Sequence, residues 1–338
     1  MTTLRPKGAE PPTLSVVMPS YNHAAYVEEA VAGVFASQDA PSFELVVVDD
    51  GSTDESVEIL RRFDDPRLQL ITQSNQGAHR ALARGLNAAR GEIVLLLNSD
   101  DVFDSRRLAT IADVLQANPD VVAVATWLRL IGPAGDEIGI KRGFRNMPPW
   151  SSRRPDLHDL GDPQKALLQS NWISTTSNIA FHRGRLNGAV PTFRDLRYCH
   201  DWDFFLQLLA HGPLLEVTEP LVSYRVHPEN TLKEGAGGGK AQMELEILWL
   251  LICHAATLWP KLGFDDADRA RFWRSMPPFG RPAQIESLLH RLVALRGSDS
   301  VPRDAFFNLL RPEDALRRHF LSQLASPVPP ESLPRRGL

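Results

Sequence analysis

The sequence predicts an α/β fold: a doubly wound, mostly parallel sheet flanked by helices, followed by a C-terminal helical region. Two observations carry that prediction. Short, continuous apolar runs rich in Val, Leu and Ile recur through the first 126 residues. Runs without polar alternation fit strands buried on both faces, as in a parallel sheet. Between them lie segments whose apolar residues return every three or four positions, the helical period. Strand alternating with helix is the pattern of βαβ units.

In chain order, residues 1–12 are polar and proline-bearing and predict a disordered tail without a secretory signal. LSVVMP (Leu14 to Pro19) reads as the first strand, and Val27, Val31 and Val34, with Phe35 adjacent, as the stripe of the first helix. ELVVVD (Glu44 to Asp49), RLQLIT (Arg67 to Thr72) and EIVLLLN (Glu92 to Asn98) read as the next three strands. Leu82 and Leu86, flanked by Ala81 and Ala89, form a second helical stripe. Leu108, Ile111 and Leu115 form a third, which Asn118-Pro119 stops. VVAVAT (Val121 to Thr126) is a fifth strand.

From Ile131 to Gln169 the pattern weakens into a loop-rich insertion with Lys141, Arg142, Arg145, Arg153 and Arg154. These read as a solvated basic loop or as an attractor for an anionic acceptor. A strand at Thr176 to Phe181, a helix at Asp201 to Gly212 and short strands at Leu214–Val217 and Leu221–Val226 follow. The cluster at Gly235 to Lys240 reads as a flexible loop or hinge. The organisation expected is a tail at 1–12, an α/β domain at 13–234, a helical region at 235–325 and a disordered tail at 326–338. The longest apolar stretch, Leu245 to Trp259, carries Glu246 and His254 and stops at Pro260, short of the ~20 residues a spanning helix needs. It reads as a buried helix, with a membrane-surface helix or a subunit interface as alternatives.

Composition narrows the function. The 338 residues are 43% hydrophobic and 23% charged, which argues against wholesale disorder. Lys+Arg 37 against Asp+Glu 41 leaves a net charge of −4, so a phosphate-neutralising nucleic-acid binder is disfavoured. The two cysteines, Cys199 and Cys253, argue against a disulfide scaffold and fit a reducing cytoplasm. There is no GxxxxGK[ST], no GxGxxG after the first strand, no HExxH and no GxSxG.

Polar residues gather at the strand ends, where open α/β sheets bind ligands. PSYN (Pro19 to Asn22) offers a flat tyrosine face and an asparagine that bonds a base or caps a helix. DDGSTD (Asp49 to Asp54) places two adjacent carboxylates at a buried strand end, reading as ligand contacts or as helix-start acids. NSDD (Asn98 to Asp101) delivers two carboxylates to one edge, with no Lys or Arg until Arg106. Such hard oxygen donors suit Mg²⁺ or Mn²⁺ shared with substrate phosphates, although a capped turn reads the same. In HDWDFF (His200 to Phe205), Asp201 and Asp203 point apart on a helix, one toward a site and the other toward solvent. In YRVHPEN (Tyr224 to Asn230), Arg225 suits a phosphate and His227 a metal or a structural hydrogen bond.

Taken in order, SVVMPSYN, VVVDDGSTD, NQG (Asn75 to Gly77), GEIVLLLNSDD, HDWDFFLQL and YRVHPEN resemble the family 2 glycosyltransferases, over about residues 13–230. The resemblance implies the GT-A nucleotide-sugar fold and an inverting, metal-dependent sugar transfer to an acceptor hydroxyl. It implies that Tyr21 stacks on the base within the loop of Pro19 to Asn22. It also implies that Asp50 bonds the base edge, Asp100 contacts ribose or sugar, and Asp101 and His227 hold Mn²⁺ or Mg²⁺. Asp201 matches the catalytic base, with His200 in place of the preceding acid. Where members carry an asparagine in the helix after NQG, this chain has Ala83, and His79 or Arg80 substitutes toward the nucleotide. Trp172, Asn178 and Trp202 fall on the acceptor side, where core tryptophans read equally well.

The implied donor is a nucleoside diphosphate sugar, UDP first among the nucleotides. The implied acceptor is a glycan, a lipid-linked glycan or a protein, in cell-surface glycan or polysaccharide synthesis. The expected location is cytoplasmic, with peripheral membrane contact, and the C-terminal helices are where a homodimer would form. The competing readings are a non-catalytic nucleotide-sugar or partner binder and a sugar nucleotidyltransferase, which would want a glycine-rich basic loop in place of PSYNHAAY.

Overall fold

The computed structural model describes residues 10–144, 146, 162–187, 191–228, 230, 240–265 and 267–268. The tail 1–9, Arg145, Arg153, Arg154, the glycines at 235–239 and everything after residue 268 lie outside the described residues.

Nine strands make one sheet: β1 (Leu14–Ser20), β2 (Phe43–Asp49), β3 (Leu68–Thr72), β4 (Ile93–Leu96), β5 (Val102–Phe103), β6 (Ala123–Ile131), β7 (Glu137–Lys141), β8 (Ile179–His182) and β9 (Leu214–Arg225). Their order is β3-β2-β1-β4-β8-β6-β9-β5, with β7 on β6. The stretch β3-β2-β1-β4 is parallel, as its unbroken apolar runs require. Beyond β4 the sheet is mixed: β8 runs antiparallel to β4 and β6, while β9 is parallel to β6. Every residue of β1 and β2 is buried. The described helices of this part are α1 (Val27–Phe35), α2 (Ser56–Arg61), α3 (Ala78–Ala88), α4 (Arg107–Ala117), α5 (Pro163–Gln169) and α6 (His200–His211). The stripes expected of α1, α3 and α4 are buried, including Val27, Val31, Leu82, Leu86, Leu108 and Leu115.

Glu44, an acid inside a buried strand, ties the opposite edge of the sheet together. It accepts from Ser15 Oγ at 2.8 Å, Arg90 N–H at 2.7 Å and Arg90 Nε at 3.2 Å. Those three donors offset the cost of burying the charge.

Several elements depart from the sequence expectation. β6 runs on to Ile131, and the two strands expected from Leu214 to Val226 are one twelve-residue strand. Its register shifts opposite Thr126–Leu128, where Pro220 interrupts the ladder. β7 and α5 lie within the stretch expected to be loop-rich. α5 carries a legible start: Asp162 Oδ1 accepts from Gln164 N–H at 2.8 Å, and Pro163 opens the helix.

The chain divides into two compact units, one ending at Pro228 without Arg197–Cys199, the other made of Arg197–Cys199 and the residues from 229 on. In the second unit, α7 (Lys240–Lys261) covers the long apolar stretch and continues through Pro260. Leu250, Leu251 and Leu258 are buried. Glu246 is buried and accepts from the backbone N–H of Arg197, Tyr198 and Cys199 at 2.8–3.0 Å, which is why an acid interrupts that stretch. No helix among the described residues is long and apolar enough to cross a membrane.

Lys141, expected in a solvated basic loop, is instead buried, and its Nζ donates to the carbonyls of Gly143 and Trp172. Two carbonyl partners match the two N–H groups of a neutral amine. Burial pushes its pKa from 10.5 down to about 7. Between those values the unfolded chain carries a proton that the fold has released, so folding gains stability as pH rises through that window. Urea unfolding from pH 7 to pH 10 is expected to show a slope approaching one proton, about 1.4 kcal/mol per pH unit, that Lys141→Met abolishes. Parallel curves for the two proteins would refute the assignment.

Candidate active site at the strand ends

The site lies where β1, β2, β4 and β9 end, in the first unit. Its rim is two loops laced together. Asn22 takes a left-handed backbone (φ 52°), which asparagine tolerates. Its Oδ1 accepts from Thr53 N–H at 2.8 Å, while its own N–H donates to Ser52 Oγ at 2.9 Å. Asn22 therefore clamps the loops and does not cap α1, whose start has no side-chain cap. Ala24 N–H reaches Asp54 Oδ2 at 2.9 Å, and His23 N–H reaches Ser56 Oγ at 3.0 Å. Asp49 turns back on its own loop, accepting from Ser52 N–H at 2.9 Å and Ser52 Oγ at 2.6 Å.

Asp50 is buried and faces NQG. It accepts from Gln73 Nε2 at 2.8 Å, Gln76 N–H at 2.9 Å and Gly77 N–H at 2.8 Å. These bonds fix the loop ahead of α3 and leave lone pairs on the carboxylate for a further donor. Pro19 is buried at the end of β1, and Tyr21 is 43% exposed, a large apolar face open to a ligand. Arg80 stands exposed on the first turn of α3.

The two carboxylates of NSDD have separate fates. Asp101 is fully buried. It accepts from Ser177 Oγ at 2.6 Å, Thr175 Oγ1 at 3.3 Å and Arg225 N–H at 2.9 Å. Burial, then the charge of Asp100, push its pKa well above the ordinary carboxylate range. Asp100 instead meets His227, Nε2 to Oδ2 at 3.0 Å. One atom each of His23, Asp100 and His227 lie within 4.8 Å of one another, a set that can hold a metal ion. The His23 Nδ1 is 2.8 Å from Ser99 Oγ, and Tyr26 packs against both imidazoles. Asp101, the expected ligand, is not in that set. Its oxygens are committed to the hydroxyls and the amide.

Arg225 is also spoken for. Its Nε donates to the Asp100 carbonyl at 3.0 Å, Nη1 to the Pro133 carbonyl at 3.1 Å, and Nη2 to Glu29 at 2.6 Å, with the guanidinium over Tyr26. It braces the site and is not a phosphate clamp.

Asp201 opens α6, nearly buried, and accepts from Asn171 Nδ2 at 3.1 Å. Burial pushes its pKa up, the direction that makes a carboxylate a better proton acceptor. Asp203, expected to face either site or solvent, does neither. It is fully buried and accepts from Arg194 at 3.0 Å and Gln207 at 2.8 Å. Burial, and then the charges of Asp101, Asp100 and Asp201, push up the pKa of the buried Tyr224 phenol.

The acceptor-side expectation fails on burial. Trp172 is fully buried and donates Nε1–H to the Pro163 carbonyl at 2.8 Å. Trp202 donates to the Leu167 carbonyl at 2.7 Å. Asn178 spends Oδ1 on Thr126 N–H at 3.0 Å and Nδ2 on the Thr126 carbonyl at 2.8 Å. All three are core residues, because a buried ring or amide is retained when its polar atom is paired. Sequence reasoning missed His23, directly after PSYN at a strand end, the hydroxyl of Thr175, just ahead of the strand expected from Thr176, and that of Ser177, which read only as part of that strand.

Removing Asp101 orphans three buried donors. Asp101→Ala is expected to lower unfolding stability in urea by about 3 kcal/mol, without metal or nucleotide present. Asp100→Asn, which keeps a hydrogen-bonding partner for His227 and relieves repulsion against Asp101, is expected to stay within about 1 kcal/mol of the parent. Equal stability of Asp101→Ala and the parent would show that the buried network is not structural.

The model of glycosyl transferase family 2 matches residues 15–165. An uncharacterized glycosyltransferase of Nostoc sp. is 30% identical over 236 residues, covering 68% of this chain and 69% of that protein. TuaG of Bacillus subtilis, assigned to teichuronic acid biosynthesis, is 37% identical over 100 residues, 29% of this chain and 39% of that protein. Among solved structures, S. aureus TarS in complex with UDP superposes with a TM-score of 0.54 at 19% identity, covering 92% of this chain and 89% of that one. TarS in complex with UDP-GlcNAc superposes with a TM-score of 0.54 at 16% identity, over 83% and 87%. At those identities TarS shares the fold. The strand-end site, the matched family model and the Nostoc relative together make this chain a member of glycosyl transferase family 2, a glycosyltransferase of the GT-A fold.

Proposed function

We propose that the chain is a cation-dependent, inverting transferase that moves a sugar from a nucleoside diphosphate sugar, UDP first among donors, to an acceptor hydroxyl of a cell-surface polysaccharide. The observation that carries the reading is the meeting of Asp100 and His227 at 3.0 Å. Asp100 follows the end of β4 and His227 the end of β9, while Asp201 opens α6, and a structural turn needs no such convergence. The residue types fit a divalent cation: a carboxylate and an imidazole aimed at each other, one of them on the β4 end that an incoming diphosphate would approach.

Here the cation role moves one residue, from Asp101 to Asp100, because the carboxylate of Asp101 is consumed by three donors. Bound there, a cation would neutralise charge developing on the leaving diphosphate. Tyr21 supplies the stacking face for the base, and the laced loops of Pro19, Asn22 and Asp50 shape its pocket. Arg80, exposed on α3, stands ready for phosphate or ribose. Asp201, held by Asn171, takes the acceptor proton as the hydroxyl oxygen attacks the anomeric carbon. The UDP preference is supported by the TarS complexes, and the polysaccharide acceptor by the likeness to TuaG. Peripheral membrane contact and dimerisation through the C-terminal helices remain part of the proposal.

The test separates binding from chemistry. Thermal unfolding with UDP, dTDP, GDP and CDP, each with and without Mn²⁺, is expected to single out one nucleotide with a larger shift when metal is present. A ligand at 100 times its dissociation constant stabilises by about 2.7 kcal/mol. Asp201→Asn is expected to keep that shift and lose about 10²–10⁴-fold in donor turnover. Full turnover by Asp201→Asn, or no shift with any nucleotide, overturns the reading.

A further inference from the structure

We propose that His23 is a third protein ligand of the cation site and that its imidazole biases the site toward Mn²⁺ over Mg²⁺. The inference rests on the reading that Asp100 and His227 hold a cation, and adds a residue to it. Ligand atoms of His23, Asp100 and His227 lie within 4.8 Å of one another, close enough for one ion to touch all three. The three residues follow the ends of β1, β4 and β9, so the set is assembled by the sheet.

His23 is held on every side that fixes its ring. Its backbone N–H is pinned to Ser56 Oγ at 3.0 Å, and its Nδ1 lies 2.8 Å from Ser99 Oγ, the hydroxyl beside Asp100. Its ring stands edge-on to Tyr26 at 6.1 Å and to His227 at 6.0 Å. A hydrogen bond from a neighbouring side chain is how metal-binding imidazoles are commonly oriented. His23 is part-buried, whereas Asp100 and His227 are buried, which puts it at the open side of the set.

The ligand types decide the preference. Mg²⁺ takes oxygen donors and keeps its waters, while imidazole suits softer first-row ions. One carboxylate with two imidazoles therefore favours Mn²⁺, where one carboxylate with one imidazole discriminates less. Neutral imidazoles also leave net positive charge on the bound ion for an anionic diphosphate.

The test is Mn²⁺ binding to the full chain, alone and with UDP, followed by electron paramagnetic resonance, with Mg²⁺ as competitor. The parent is expected to bind Mn²⁺ with nitrogen couplings from two imidazoles. His23→Ala should lose one of those couplings and weaken Mn²⁺ binding about tenfold or more, with little change for Mg²⁺. His23→Asp, restoring an oxygen donor, should recover binding while shifting the competition toward Mg²⁺. If the parent binds Mn²⁺, Asp100→Asn abolishes it, and His23→Ala leaves affinity and couplings unchanged, His23 is not a ligand and the Asp100–His227 reading stands. If the parent binds no Mn²⁺ in either condition, both fail.

Discussion

The buried pairing of Arg225 with the NSDD segment is the constraint on which the site depends. A guanidinium at the end of a strand is costly to bury unless each of its faces is used. Here its backbone amide holds Asp101, its Nε holds the Asp100 carbonyl, and Glu29 and the Tyr26 ring take the rest. The pairing joins β9 to the end of β4 across residues that are 124 apart in sequence. His227 follows two positions later, and it reaches Asp100 because Arg225 has already been docked. A Lys at 225 would supply charge without the fork of donors that spans those partners.

The same accounting sorts the carboxylates. A buried acid with three donors, such as Asp101 or Asp50, is part of the frame. Asp203 with Arg194 and Gln207 belongs with them. Asp100 instead meets the His227 imidazole, and Asp201 accepts from Asn171 Nδ2 and the Trp202 N–H while burial pushes its pKa up. Acids in such settings are candidates for a cation or a proton. On the roles proposed for them, NSDD and HDWD each pair one chemical acid with one structural acid.

How much of this was legible follows from the same physics. The parallel strands were, because burial on both faces writes an unbroken apolar run, and the helical stripes of α1, α3 and α4 were for a related reason. β5, of two residues, is too short to carry a period. β7 was hidden because its exposed positions erase the alternation. The strand ends pointed to the loops that carry the candidate site, yet which carboxylate of NSDD meets His227 and which is buried among donors was beyond the motif. That depends on Ser177 and Thr175, more than seventy residues away, and no spacing near NSDD announces them. The tryptophans misled for the opposite reason: a paired, buried indole and an exposed one look alike in sequence.

Electrostatics also supports the proposed cation. The charges of Asp101, Asp100 and Asp201 all bear on the Tyr224 phenol, and the guanidinium of Arg225 is engaged with backbone carbonyls and Glu29. A diphosphate approaching such an edge meets like charge at short range, a repulsion that low dielectric strengthens. On the proposed reading, the imidazoles beside Asp100 would help hold an ion that supplies the missing charge. A donor arriving with a divalent cation would then meet less repulsion, and Asp201, raised by burial, would be the carboxylate that accepts the proton.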